Sequence, residues 1–142
     1  MKVSSRGEYA LRALLVLARN RGEEMMPLSG ISEQILVPAP YLEQILLRLK
    51  QHGYVKSKRG SNGGYTLRVR PKDVVIGEVV RQLEGPLAPM GCVSLTAYEA
   101  CPLEEGCLLK PLWALVRDTV AHVLDRTTLE DLLTGKLPEN RC

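Results

Sequence analysis

The sequence predicts a mainly α fold with a small β-hairpin: a winged helix-turn-helix domain followed by a long C-terminal dimerisation helix. Three observations carry that expectation. Short amphipathic helical patterns flank a proline-containing bend between residues 28 and 52. The hydrophobic period then switches to two around a glycine-rich tip. Beyond this unit lies a long helical stretch whose broad apolar stripe includes the only tryptophan.

At 142 residues the chain is the size of one ordinary domain, with globular proportions of apolar and charged residues. No run approaches the ~18 apolar residues of a membrane span. The N-terminal MKVSSRGEYALRALLVLA is interrupted by Glu8 and Arg12, and its clean apolar run, Ala13 to Ala18, is too short for a signal-peptide core. A cytoplasmic chain without membrane association is expected, and there thiols stay reduced. The net charge of +3 divides unevenly. Residues 1–70 hold twelve Lys/Arg against five Asp/Glu, a net +7, whereas residues 71–142 carry −4. The basic half is suited to a polyanion.

The first helix is marked by Leu11, Leu14, Leu15 and Ala18 at helical spacing, with Asn20-Arg21-Gly22 as its stop. In front of it, Ser5-x-x-Glu8 has capping-box spacing. Leu28, Ile31 and Ile35 mark a second helix, which Pro38 keeps separate from a third. That third helix starts near Pro40, buries Leu42, Ile45, Leu46 and Leu49, and ends at His52-Gly53. Strands at Val55–Lys58 and Tyr65–Val69 enclose the tip Arg59-Gly60-Ser61-Asn62-Gly63-Gly64. A helix over Asp73–Leu83 stops at Gly85-Pro86, and a long one covers Pro111–Asp125, with Leu112, Trp113, Val116, Val120, Val123 and Leu124 along one side. Thr127-x-x-Glu130 is placed to cap a last short helix. The expected divisions are a DNA-binding domain at 1–84, a cysteine loop at 85–110, and a dimerisation helix with tail at 111–142.

On the third helix the buried stripe leaves Tyr41, Gln44 and Arg48 facing the other way. Glutamine pairs with adenine, arginine pairs with guanine, and tyrosine reaches a phosphate or a thymine methyl. Read alone, the triplet fits an ordinary solvated helix face better, because polar outward residues are common. The hairpin shifts the balance. Lys56, Lys58 and Arg59 crowd the approach to a flexible tip, with Arg68 and Arg70 on its far side, an arrangement suited to phosphates and to a narrow minor groove. Bend, helix face, basic wing and a +7 half together point to double-stranded DNA. The apolar stripe of the long helix points to a homodimer, which would place recognition helices on palindromic half-sites ~34–36 Å apart.

Cys92, Cys101 and Cys107 lie in the window CVSLTAYEACPLEEGC with spacing C-x8-C-x5-C. A disulfide is disfavoured by the compartment. Three thiolates and one further donor suit zinc, and the wide spacing suits an iron–sulfur cluster equally well. Cys142, at the chain end, reads as a surface thiol. No nucleophile–base pair at readable spacing and no phosphate-binding glycine loop is present, so neither an enzyme nor a small-molecule substrate is expected.

GEYALRALLVLA, PYLEQILLRLKQHGYVKSKRGSNGGYTL, IGEVVRQLEG and the three-cysteine loop before a Trp-containing helix resemble the iron–sulfur winged-helix regulators typified by IscR and NsrR. The resemblance spans nearly the whole chain. It implies a dimeric transcription regulator, mainly a repressor, responding to cluster status, nitric oxide or redox stress. By that resemblance Tyr41, Gln44, Arg48 and Arg59 contact DNA, and Cys92, Cys101 and Cys107 ligate a [2Fe-2S] or [4Fe-4S] cluster. The chain departs from the pattern in two places. Its first cysteine gap is longer than the x5 of better-known members, and Lys110 stands where a histidine ligand occurs in others. Glu8 matches the acidic residue that completes the cluster from the partner subunit in NsrR-like members. The alternative is a zinc- or thiol-based regulator on the same fold.

Overall fold

Helix α1 (Ser5–Arg19) is the element against which most others pack, and its sequence shows why. Gly7, Ala10 and Ala13 put little bulk on its inner side, so α2, α3, α4, α6 and one strand all come close to it. The computed structural model describes residues 3–20 and 24–138. Arg21 and Gly22 of the expected helix stop, and Cys142, lie outside the described residues.

The buried side of α1 is Ala10, Ala13, Leu14 and Leu17, while Leu11 and Leu15 are only partly covered. A helix surrounded on several sides does not show one stripe. Its cap also differs from expectation. Ser4, not Ser5, is the N-cap, its hydroxyl accepting from the Gly7 amide at 3.4 Å. With Ser4 as cap, the reciprocating position falls on Gly7, which has no side chain. Glu8 instead pairs with Arg12 at 3.1 Å on the surface.

Helix α2 (Leu28–Ile35) buries Ile31 fully and ends at Leu36, an exposed residue in the left-handed region (φ 57). Buried Val37 and the Ser32 hydroxyl, which donates to the Val37 carbonyl at 2.5 Å, close the bend. Helix α3 (Ala39–Gln51) follows, with Pro40 in its second position rather than its first. The expected Leu42, Ile45, Leu46 and Leu49 are all buried. Gly53 (φ +84) then turns the chain into the hairpin.

Strands β1 (Val55–Lys58) and β2 (Gly64–Leu67) pair antiparallel from Val55↔Leu67 to Lys58↔Gly64. β2 covers Gly64–Leu67 rather than the expected Tyr65–Val69, and the Arg68 amide adds one further bond in register, to the Tyr54 carbonyl at 2.9 Å. On its outer edge Tyr65 exchanges two backbone bonds with Met26, at 2.8 and 2.9 Å. Gly64 allows this approach: its φ is +142, and a Cβ there would lie 2.3 Å from the Met26 carbonyl oxygen.

Of the helix expected over Asp73–Leu83, Asp73 belongs to a 3-10 turn (Pro71–Asp73) and Val74 and Val75 are extended, so α4 runs Ile76–Glu84. Helix α5 (Lys110–Asp125) returns along it, and the Asp125 carboxylate takes a bidentate bond from Arg81 at 2.6 and 2.7 Å. Gly77 leaves the room: a Cβ would sit 1.9 Å from Asp125 Oδ1. Helix α6 (Leu129–Thr134) is capped by Thr128 with Asp131, one residue later than expected, because the Thr127 carbonyl is taken by the Ile76 amide at 2.9 Å. Leu129 carries α6 into the core beside α1. Helix α5 contrasts with all of these, since none of its residues is buried; Trp113, Val116, Val120 and Leu124 are half-covered, and Leu112, Leu115 and Val123 are exposed. No described helix is long and apolar enough to cross a membrane.

Two glycine substitutions should separate geometry from propensity. Gly64→Ala should destabilise the fold by about 1–3 kcal/mol, through both its φ and the Met26 contact. Gly30→Ala, in a helix with its nearest neighbour at 3.6 Å, should be neutral or up to ~1 kcal/mol stabilising. Urea denaturation of both variants checks the contrast, and equal effects would contradict it.

Candidate nucleic-acid interface and cysteine loop

The outward side of α3 divides into two flanks. Towards α1, the Tyr41 ring meets Tyr9 edge-on with centroids 5.9 Å apart. On the same flank an Arg48 Nη2 donates to the Gln82 carbonyl at 3.3 Å. Tyr41, Gln44 and Arg48 come together there, lining a cleft of about 380 Å³ whose opposite wall is Ser4, Ser5 and Arg6 of α1. Towards the hairpin, Lys50 Nζ donates to the Ser57 hydroxyl at 2.8 Å, so helix and wing are tied directly. Glu43, Leu47, Lys50, Lys58 and Arg59 line the groove on this side, and Lys56 stands exposed outside it.

None of Arg6, Arg48, Lys56, Lys58 and Arg59 makes an ion pair among the described residues. Unneutralised cations flanking an exposed helix are what a phosphate backbone attracts. Sequence reasoning missed Leu47, Lys50 and the α1 wall. The signal for Leu47 was present: it falls outside the helical series set by Leu42, Ile45, Leu46 and Leu49, and it is 53% exposed. Arg6 had no such signal, because only the packing of α1 beside α3 brings it near.

The cysteine loop lies between α4 and α5. A 3-10 turn at Gly91–Val93 begins it, and buried Val93 and Ser94 anchor it. Arg117 of α5 donates to the Val93 carbonyl at 2.8 Å. Farther along, the Glu104 carboxylate receives Lys110 Nζ at 2.5 Å and the Tyr98 hydroxyl. These bonds, Lys110 first, hold Glu104 below its ordinary pKa, and they raise Lys110 and Tyr98 above theirs. Cys92 lies within electrostatic reach of Tyr98 and Lys110.

Cys92 and Cys107 are half-buried, Cys101 is exposed, and all three are free thiols. As donors they fit a thiolate-bound cluster in kind, and they supply three of the four protein ligands it takes. They do not form a ready-made site: among the described residues no three His, Cys, Asp or Glu side chains gather closely enough to hold a metal ion. Lys110, its ammonium stabilised by Glu104, has no lone pair to offer as a ligand.

Residues 3–135 match the Rrf2 family, described as iron-dependent transcriptional regulators. The chain belongs to the Rrf2 family. It is 37% identical over 142 residues to an rrf2-like HTH-type transcriptional regulator of Rhodobacter capsulatus, covering 96% of this chain and 95% of that one. The solved structure of CymR, the global cysteine regulator of B. subtilis, superposes with a TM-score of 0.80 at 38% identity, covering 95% of this chain and 98% of that one. T. potens IscR superposes with a TM-score of 0.75 at 32% identity, covering all of this chain and 93% of that one. The winged-helix reading and the family resemblance are both borne out. This is a DNA-binding transcription regulator, and its relatives are regulators rather than enzymes.

The loop network has a pH signature. A depressed carboxyl pKa contributes stability that is present above the unfolded value, ~4.3 for glutamate, and lost as pH falls through the folded value. The Glu104 carboxyl ¹³C shift should therefore titrate below the free-glutamate range. Lys110→Met should move that midpoint up, and an unchanged midpoint would mean the ion pair does not form.

Proposed function

We propose that the chain is a homodimeric repressor that reads a palindromic operator with α3 and the wing. The observation that carries this is the gathering of Tyr41, Gln44 and Arg48 in one open cleft, beside unpaired Lys58 and Arg59. Gln44 and Arg48 take base edges, Tyr41 a phosphate or methyl, and Lys56, Lys58 and Arg59 the backbone and minor groove. Helix α5 supports the dimer, because a 16-residue helix with no buried residue leaves its apolar side for a second copy. The division into a DNA-binding unit at 1–84, a sensing loop at 85–110 and a dimerising segment at 111–142 belongs to the same proposal.

Within it, Cys92, Cys101 and Cys107 hold an iron–sulfur cluster, with Glu8 of the second subunit as the candidate fourth ligand. Two findings support Glu8. It does not cap its own helix, and its exposed pair with Arg12 is of a kind contributing only about 0.3–0.5 kcal/mol, so it is easily released. A bound cluster would supply a redox- and nitric-oxide-reactive group. The chain's own part is to draw the loop together around it, which alters how Val93 and Arg117 hold the loop to α5. A thiol-based reading is favoured by one observation: Cys101 stands exposed on a loop already ordered by Tyr98, Glu104 and Lys110.

Arg48→Ala should relax base preference at one position by ~1–3 kcal/mol, measured by fluorescence anisotropy on base-substituted duplexes. Equal weakening on every duplex would restrict Arg48 to phosphate. Hydroxyl-radical footprinting should show two protected half-sites about one helical turn apart, and a single site would refute the dimer. For the cluster, anaerobic absorption spectra with iron and sulfide counts should show a cluster in the wild type, none in Cys92→Ser, and an altered one in Glu8→Ala. An unchanged Glu8→Ala spectrum removes that ligand; a colourless, metal-free wild type with reactive thiols leaves the thiol reading.

A further inference from the structure

The first turn of α1 has an incomplete capping box. Ser4 caps the helix, but the position that should send an acidic side chain back to the Ser4 amide is Gly7. The missing carboxylate comes from 80 residues away: Glu84 Oε1 accepts both the Ser4 amide at 2.8 Å and the Ser4 hydroxyl at 2.6 Å. Gly7 is what makes this possible, since a Cβ there would lie 2.0 Å from the same oxygen. Two residues before Glu84, the Gln82 carbonyl takes the Arg48 guanidinium at 3.3 Å.

One helical turn thus holds both walls of the cleft, Ser4–Arg6 on one side and Arg48 on the other. We propose that the last turn of α4 positions the DNA-reading surface, with Glu84 as the positioning residue. It acts through Ser4 on the first turn of α1, and so on the spacing between Arg6 and the Gln44–Arg48 face. The same turn runs directly into Gly85 (φ +90), Pro86 and buried Leu87 at the start of the cysteine loop. It is therefore the shortest covalent route from that loop to the cleft. The proposal rests on the reading of this cleft as the DNA-facing surface.

The test uses a duplex selected from a random library by the wild-type protein, with an unselected duplex of equal length as reference. Glu84→Ala should weaken binding to the selected duplex roughly tenfold, as expected for loss of a charge-assisted bond. Binding to the reference duplex, driven by phosphates, should change by roughly twofold or less. Glu84→Gln, which keeps an acceptor oxygen, should restore discrimination. Gly7→Ala should reproduce Glu84→Ala, and the double variant should be no worse than either single change, because both remove the same contact. Full discrimination in Glu84→Ala overturns the proposal alone. So does Glu84→Gln failing as badly as Glu84→Ala, or equal losses on both duplexes with a lowered melting temperature. A wild-type protein that selects no duplex sinks the underlying DNA reading and this proposal with it.

Discussion

The approach of neighbouring elements to α1 is the constraint on which the rest of this structure depends. Gly7, Ala10 and Ala13 give that helix a narrow inner side, and α2, α3, α4, α6 and β2 are all placed by contact with it. The closest approach is the Glu84 carboxylate over Gly7. A larger residue at position 7 would displace that carboxylate from the Ser4 cap. The contact between the first turn of α1 and the end of α4 thus depends on the absence of a side chain at position 7.

A second consequence concerns where the hydrophobic effect is left unused. The core closes around α1 with α6 sealing one side through Leu129. Helix α5 is held to this unit by half-buried Leu124 against the core, by the Arg81–Asp125 pair over Gly77 and by Arg117 on the Val93 carbonyl, with none of its residues fully buried. Polar clamps of this kind fix orientation while leaving apolar surface exposed. The cysteine loop hangs from the same clamps, so changes in the loop, in α5 and at the end of α4 share their anchoring residues.

Much of the fold was legible in the residues. Pro38 forces the bend, the Leu42–Leu49 stripe orients α3, and Gly63-Gly64 place the hairpin tip, since each is a local steric or periodic requirement. Both helix caps were displaced by one residue, and in each case a doublet offered two candidates. Ser4 prevails over Ser5 because Glu84 reaches it, and Thr128 over Thr127 because the Thr127 carbonyl is committed to Ile76. The α1 stripe was misplaced towards Leu11 and Leu15 because a helix packed on several sides has no single buried arc.

The sequence by itself determined the winged helix-turn-helix, the triplet Tyr41, Gln44 and Arg48, the basic wing and the three-thiol window. These follow from periodicity, backbone sterics and donor chemistry, which act over a few neighbouring residues. Only the tertiary structure decided that Arg6 faces Arg48 across a cleft, that Glu8 is free of its own cap, and that Glu84 completes the cap of α1. It also decided that the three thiols stand apart rather than gathered. Each of these depends on which distant segments touch, and contact at such separations is set by how side-chain volumes pack around α1, not by any local pattern.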